Sequence, residues 1–223
     1  MKQKKASIVS LIKKFFFEFL IVTLGILTAF NINKWDENKK LVLEEQESYK
    51  ALKSDLKSDL YVLNFYKERF VKNEEYLTPI HERNYDRIDS VEMYLENSFD
   101  LQEGNATYVN LKYSGKFGIF KNDTLRRGLI MYYETYYQGL ETMSNTHKEL
   151  VATNITPYLI KNMNYEGSPS SQYISTMLEK HEFRNIIKYQ LLMSVYNISV
   201  IDKTEKLANK IIERIDIELG INE

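Results

Sequence analysis

The stretch FFFEFLIVTLGILTAFNI, Phe15 to Ile32, decides how the rest of the chain is read, because its eighteen residues carry one ionisable side chain, Glu18. A helix of this length rises roughly 27 Å, enough to cross the hydrocarbon core of a bilayer with little tilt. Residues 15–35 are therefore expected to form a transmembrane helix, between a basic tail, residues 1–14, and one further domain, residues 36–223. Lys2, Lys4, Lys5, Lys13 and Lys14 precede the span, whereas Lys34, Lys39 and Lys40 beyond it are mixed with Asp36, Glu37, Glu44 and Glu45. The positive-inside rule then predicts a cytoplasmic N-terminus and an extracytoplasmic domain, with Trp35 as the anchor at the outer interface. A basic start before an apolar run also opens a cleaved secretory signal. Such a run is usually about 7 to 15 residues long and ends at a small-x-small site. Here it leads into Phe30-Asn31-Ile32-Asn33, so an uncleaved signal anchor is expected.

Glu18 lies about one turn inside the apolar run, four residues after Lys14, a spacing that pairs the two near the cytoplasmic headgroups. The sharper alternative is an intramembrane acid on a proton or cation path. Glu18, Gly25 and Ala29 share one helical face, and Gly25-x-x-x-Ala29 permits close helix approach, which makes this the candidate association face within the membrane.

Hydrophobic residues make up 43% and charged residues 27% of the chain, a globular balance, and the net charge of -1 offers no field for nucleic acid. Eight Gly and three Pro are too few for the turns of a sandwich or barrel, so an all-α fold is expected. The absence of cysteine excludes disulfides, thiolate metal sites and a cysteine nucleophile.

Beyond the span, Tyr49, Leu52, Leu56, Leu63, Tyr66, Phe70 and Leu77 follow a heptad pattern with Asp59 and Asn73 in the gaps. This predicts one long helix, ended by Pro79 and the charged run from His81. A second helix is expected over Ile88–Asn97 and a loop at Gly104-Asn105. In TYVNLKYSGKFGIF, residues 107–120, a helical turn closed by Gly115 gives way to an extended Lys116–Phe120. Asn122 or Asp123 can cap a further helix. Its apolar side carries Leu125, Leu129, Tyr132, Tyr136, Leu140 and Met143, widened by Tyr133 and Tyr137, and it is kinked or interrupted by Pro157. Gly167–Ser171 reads as a loop before a short helix to about Lys180. The last segment, Glu182–Leu219, places Ile186, Tyr189, Met193, Tyr196, Val200, Leu207, Ile211 and Ile215 at helical spacing. The expected architecture is an elongated antiparallel helical bundle in which this helix returns alongside the first.

The three histidines, 81, 147 and 181, stand in polar sequence with no second ligand at metal spacing and read as surface side chains. No phosphate cradle or nucleophile elbow occurs, so no catalytic residue, cofactor or metal is expected. Among seventeen tyrosines, Tyr132, Tyr133, Tyr136 and Tyr137 are the candidate interaction or ligand face, weighed against a core or subunit contact. Asn-x-Ser/Thr triplets begin at Asn105, Asn122, Asn154 and Asn197.

The string KKFFFEFLIVTLGILTAFNINKWDENKK and the block TYVNLKYSGKFGIFKNDTLRRGLIMYYETYY at 107–137 resemble an uncharacterised family of single-span membrane proteins of Bacteroidetes-type bacteria. The match rests on Asn33-Lys34-Trp35-Asp36-Glu37 after the span, on Leu111-Lys112-x-Ser114-Gly115, and on Lys121-Asn122-Asp123-x-Leu125-Arg126. The resemblance implies an inner-membrane location and a helical extracytoplasmic region, without an activity. The expected function is that of a periplasmic scaffold or accessory protein acting through a protein partner or a homo-oligomer. A ligand-sensing bundle and an ion-coupled subunit using Glu18 are the alternatives.

Overall fold

The computed structural model describes residues 2–84, 91–101, 104–166 and 170–221, with side chains from Lys14 onward apart from Ser171. Among them there is no strand, and the fold is all-α as expected. The chain divides into two compact units, Met1–Ser48 and Tyr49–Glu223. The start of the helix expected from Ile88 and the loop residues 167–169 lie outside the described residues.

The first unit is a stretch of one helix, α1 (Lys2–His81). Its apolar residues are open: Phe15, Phe17, Ile21, Ile26 and Phe30 are each more than half exposed. Lys14 Nζ lies 3.9 Å from Glu18 Oε1, the pairing expected one turn apart. Trp35 is exposed, with Lys39 Nζ 5.6 Å from its ring centre.

In the second unit α1 buries Tyr49, Leu52, Leu56, Asp59, Leu63, Phe70, Asn73, Leu77 and Ile80, with Tyr66 half-buried in the remaining place. The steps alternate between three and four, so the heptad seen in the sequence is the buried seam. Each fully buried leucine contributes about 2 kcal/mol through the apolar surface it removes from water. The helix ends as expected where the charged run begins, at His81, just past Pro79. In the last turn the ring sits where the ladder is already closing. The carbonyls of Thr78 and Pro79 accept from the Glu82 and Asn84 amides at 3.0 and 2.8 Å, around Arg83 at φ 65.

The described parts of 91–120 then run back along α1. They comprise α2 (Val91–Leu95), α3 (Ala106–Tyr113) and a 3-10 turn, Lys116–Ile119. Asn97 donates to Asn73 at 2.6 Å, Tyr66 donates to the Asp100 carbonyl at 3.0 Å, and Phe120 stacks on Tyr49 at 4.8 Å, so this strap descends as α1 rises. The extended conformation expected for Lys116–Phe120 is confined to Phe120. Coiling the four residues before it lets Phe117 meet Tyr108 and Phe120 edge-on, at 5.4 and 5.3 Å. Gly115 makes the reversal at φ 73, where a side chain would be strained. Gly115→Ala is expected to cost about 1 kcal/mol, seen as a lower urea midpoint with an unchanged slope.

Asn122 caps α4 (Asp123–Met131), its Oδ1 accepting from the Thr124 and Leu125 amides at 3.0 Å each. The helix continues through a π turn, Tyr132–Tyr137, then α5 (Gln138–Leu150), a second π turn, Val151–Ile155, and α6 (Thr156–Asn162). Pro157 therefore does not interrupt it. The wide turn just before the ring loosens the ladder at the place where proline cannot donate. This composite helix climbs parallel to α1. Its lower end shares a cluster with Tyr49, Tyr132 bonds Asp59, and Ile155 and Leu159 pack with Leu77 and Ile80.

After α7 (Ser171–Glu179), α8 (His181–Glu218) returns antiparallel to both. Lys53 pairs with Asp216, Lys67 with Glu205 at 2.9 Å and Asp202 at 2.6 Å, while Phe183 and Ile187 join the cluster of Leu77 and Ile80. Its buried line is Phe183, Ile187, Gln190, Ser194, Asn197, Ile201, Thr204, Ala208, Ile211 and Ile215. The sequence predicts a different face in the first half of the helix. Ile186, Tyr189, Met193 and Val200 are only half-buried and Tyr196 is exposed, because the inward places there hold Gln190, Ser194 and Asn197 beside Phe183 and Ile187.

Candidate functional site

The described chemistry gathers in two places within the second unit. The lower one is built around Asp59. The heptad points it into the bundle, where it is 5% exposed, and Tyr132 donates its hydroxyl to Oδ2 at 3.0 Å. Gly104 presses on the other oxygen so closely that a Cβ there would collide with it. The Gly104 amide donates to the Tyr137 hydroxyl oxygen at 2.6 Å, and one turn back Asp55 Oδ2 accepts from the Thr107 amide at 3.3 Å. Burial raises the Asp59 carboxyl to about 7, with the Asp55 charge adding to the rise and the Tyr132 hydroxyl opposing it. Burial and the charge of Asp59 likewise hold Tyr132 and Tyr133 un-ionised.

Tyr132, Tyr133 and Tyr137 are buried, and Tyr136 is half-buried. They form part of the core and do not wall a groove. The π turn adds a residue to the helical repeat, so 132, 133 and 137 face inward together while 136 moves to the edge. Tyr133 stacks on Tyr108 at 4.5 Å, and Tyr108 donates to Glu134 at 2.7 Å. Lys112 also pairs with Glu134 and, with Tyr108, holds that carboxylate below its usual range.

The upper place is a seam of buried polar side chains. Arg69 donates to Asn97, which donates to Asn73. His147 Nε2 lies 3.0 Å from Gln190 Oε1, and Gln190 donates to the Leu95 carbonyl. Expected at the surface, His147 is instead fully buried, its ring 6.1 Å from that of Phe70, and burial lowers its affinity for a proton. Its sequence neighbours are polar because they face outward, which disguised its own position. Among the described residues, none reaches Asn73 Nδ2, His147 Nδ1 or either polar atom of Asn197. His81 and His181 are exposed.

A groove of about 580 Å³ lies on the outer side between α5 and α8, lined by Thr135, Gly139, Thr142, Tyr189, Met193 and Tyr196 among others. No group of three or more metal-ligating side chains occurs among the described residues. Gly25 has no atom within 4 Å of where a Cβ would stand, and Ala29 is exposed. The face they form with Glu18 is therefore exposed among the described residues.

These features define a class: an all-α chain with, among the described residues, one helix long and apolar enough to cross a membrane, none of that window buried, and a helical unit whose apolar core holds a seam of buried polar side chains. More narrowly, the chain belongs to a family of unknown function, DUF6090, which it matches over residues 18–154. The matched region runs from Glu18 in the apolar helix through the strap to the second π turn. No curated protein and no solved structure matches it.

Proposed function

We propose that the protein is a single-span, signal-anchored component of the inner membrane of a Bacteroidetes-type bacterium. Its N-terminus is cytoplasmic, and its helical unit works in the periplasm as a scaffold or accessory subunit without chemistry of its own. The observation that carries the reading is the apolar window of α1, none of which is buried, whereas the seam of the same helix from Tyr49 onward lies in the core. The core helix of a soluble protein would be mostly buried, and lipid satisfies an exposed apolar helix. Contact with a protein partner or a second copy is supported by α8, where Leu192, Val195 and Tyr196 face outward while Gln190, Ser194 and Asn197 face inward.

The absence of cysteine makes a direct test simple. In the full chain, Tyr61→Cys is expected to react with a membrane-impermeant maleimide in cells with a permeabilised outer membrane, and Lys5→Cys only after lysis. The reverse pattern would overturn the orientation, and release of the protein by alkaline carbonate would overturn the anchor. Crosslinking in mild detergent should recover a second chain, and recovery of monomer alone would sink the scaffold reading.

A ligand-sensing bundle is the second reading, favoured by the groove between α5 and α8, which combines hydroxyl groups with tyrosine and methionine walls. The third, an ion-coupled subunit, would need Glu18 free of Lys14.

A further inference from the structure

The strap is a covering laid over the tyrosine turn, and what holds its lower half can be enumerated. Gly104 and Thr107 give their amides to Tyr137 and Asp55, Tyr108 stacks on Tyr133, and Tyr108 and Lys112 grip Glu134. Gly104 also lies directly against the Asp59 carboxyl, so the strap closes only over a group that can itself change charge. The geometry points to a proton-operated latch: with Asp59 protonated, Gly104–Phe120 is clamped on α1 and the tyrosine turn, and with Asp59 ionised the clamp loosens and uncovers the buried tyrosines.

Among the described residues around Asp59, none neutralises a negative charge there. From α1 it is faced by Asp55, a like charge; from the π turn by Tyr132, Tyr133 and Tyr137; from the strap by Gly104, with Tyr108 beyond, already committed to Glu134. The residues of α8 buried in this cluster, Ala208, Ile211 and Ile215, do not titrate. Among the described groups acting on Asp59 none is a cation. One hydrogen bond from Tyr132 is left to stabilise the carboxylate, and the Tyr133 hydroxyl has no partner of its own. The grip on Glu134 does not share this sensitivity, since its neighbours keep that carboxylate ionised well below neutral.

The sign follows from linkage. A carboxyl that titrates near 7 in the closed form and near 3.8 in the open form favours closure when protonated. Closure is complete in acid and weakens as the pH rises from about 4 to about 7, after which it changes no further.

Hydrogen exchange on the full chain in detergent reads this directly. The protection factors of the Gly104 and Thr107 amides are expected to fall about 50-fold between pH 5 and pH 7, while those of Phe183 and Ile187, in the other cluster, hold steady. In Asp59→Asn the strap should stay protected at both values. Flat protection in the unaltered chain, the same slope in Asp59→Asn, or an equal fall at Phe183 and Ile187 would each overturn the latch. Should Asp59→Asn fail to fold, a carbon-13 titration of the Asp59 carboxyl in the unaltered chain decides instead. A midpoint near 7 moving in step with the strap amides supports the latch, and a midpoint near 4 overturns it.

Discussion

Phe70→Ala is expected to destabilise the helical unit by about 3–5 kcal/mol, the usual range for removing a fully buried aromatic ring from a well-packed core. Phe70 is 1% exposed and stands between two different surroundings. On one side it meets Phe99 of the strap edge-on at 6.2 Å, and on the other it lies over the His147 ring at 6.1 Å and 28°. Truncation removes the apolar plate that separates the polar seam from the aromatic cluster and leaves His147 facing a cavity. The measurement is urea unfolding of the full chain in detergent followed by far-ultraviolet circular dichroism. A change below 1 kcal/mol would mean that the three helices do not close on this ring.

Asn197→Leu should act in the opposite direction and raise stability by about 1–3 kcal/mol, roughly the desolvation penalty of buried amide atoms left without partners. Asn197 is fully buried, and neither its oxygen nor its nitrogen meets a protein group, so reversing the amide cannot satisfy it. Leucine has the same branched skeleton, a higher helical preference, and removes both polar atoms. The same unfolding experiment checks this, and a loss of stability would show that the polar pair is satisfied in solution. Burial also places the triplet starting at Asn197 beyond the reach of any modifying enzyme in the folded chain.

The parts of the fold that could be read in advance are those where burial and apolarity coincide. The seam of α1 was legible because seven of its places hold large apolar residues, and the two polar gaps, Asp59 and Asn73, fell in phase. The seam of α8 was not, because Gln190, Ser194, Asn197 and Thr204 occupy inward places while Tyr189, Met193 and Tyr196 lie one position away. An apolar-periodicity argument follows the more hydrophobic of two adjacent stripes, and here that stripe faces outward. The tyrosine turn was assigned an ordinary helical repeat, which separates 132 and 136 from 133 and 137. The π turn regroups them, and no residue in YYETYY announces it. Gly115 and Asn122 worked as punctuation because each has one physical use at its position, the left-handed reversal and the cap.

The site was half visible. In the sequence Asp59 marks only a polar gap in an apolar heptad, and Tyr132 lies on a face that suits either a ligand or the core. Their bond joins residues 73 apart, and spacing along one helix carries no information about it. His147 was read by its neighbours' polarity, whereas its own direction depends on the register of a helix containing a π turn.

The ion pair between Lys53 and Asp216 bridges 163 residues of sequence. Because α1 and the tyrosine helix run the same way, the strap must descend before the second of them can start, and the third closes the unit from the far end of the chain. Synthesis from the N-terminus therefore delivers α1 with its apolar seam long before α8 exists to cover it. Such late, long-range closure makes folding slow relative to the making of its parts. For most of its synthesis the unit is an open groove, and the 38 residues of α8 turn it into a protein.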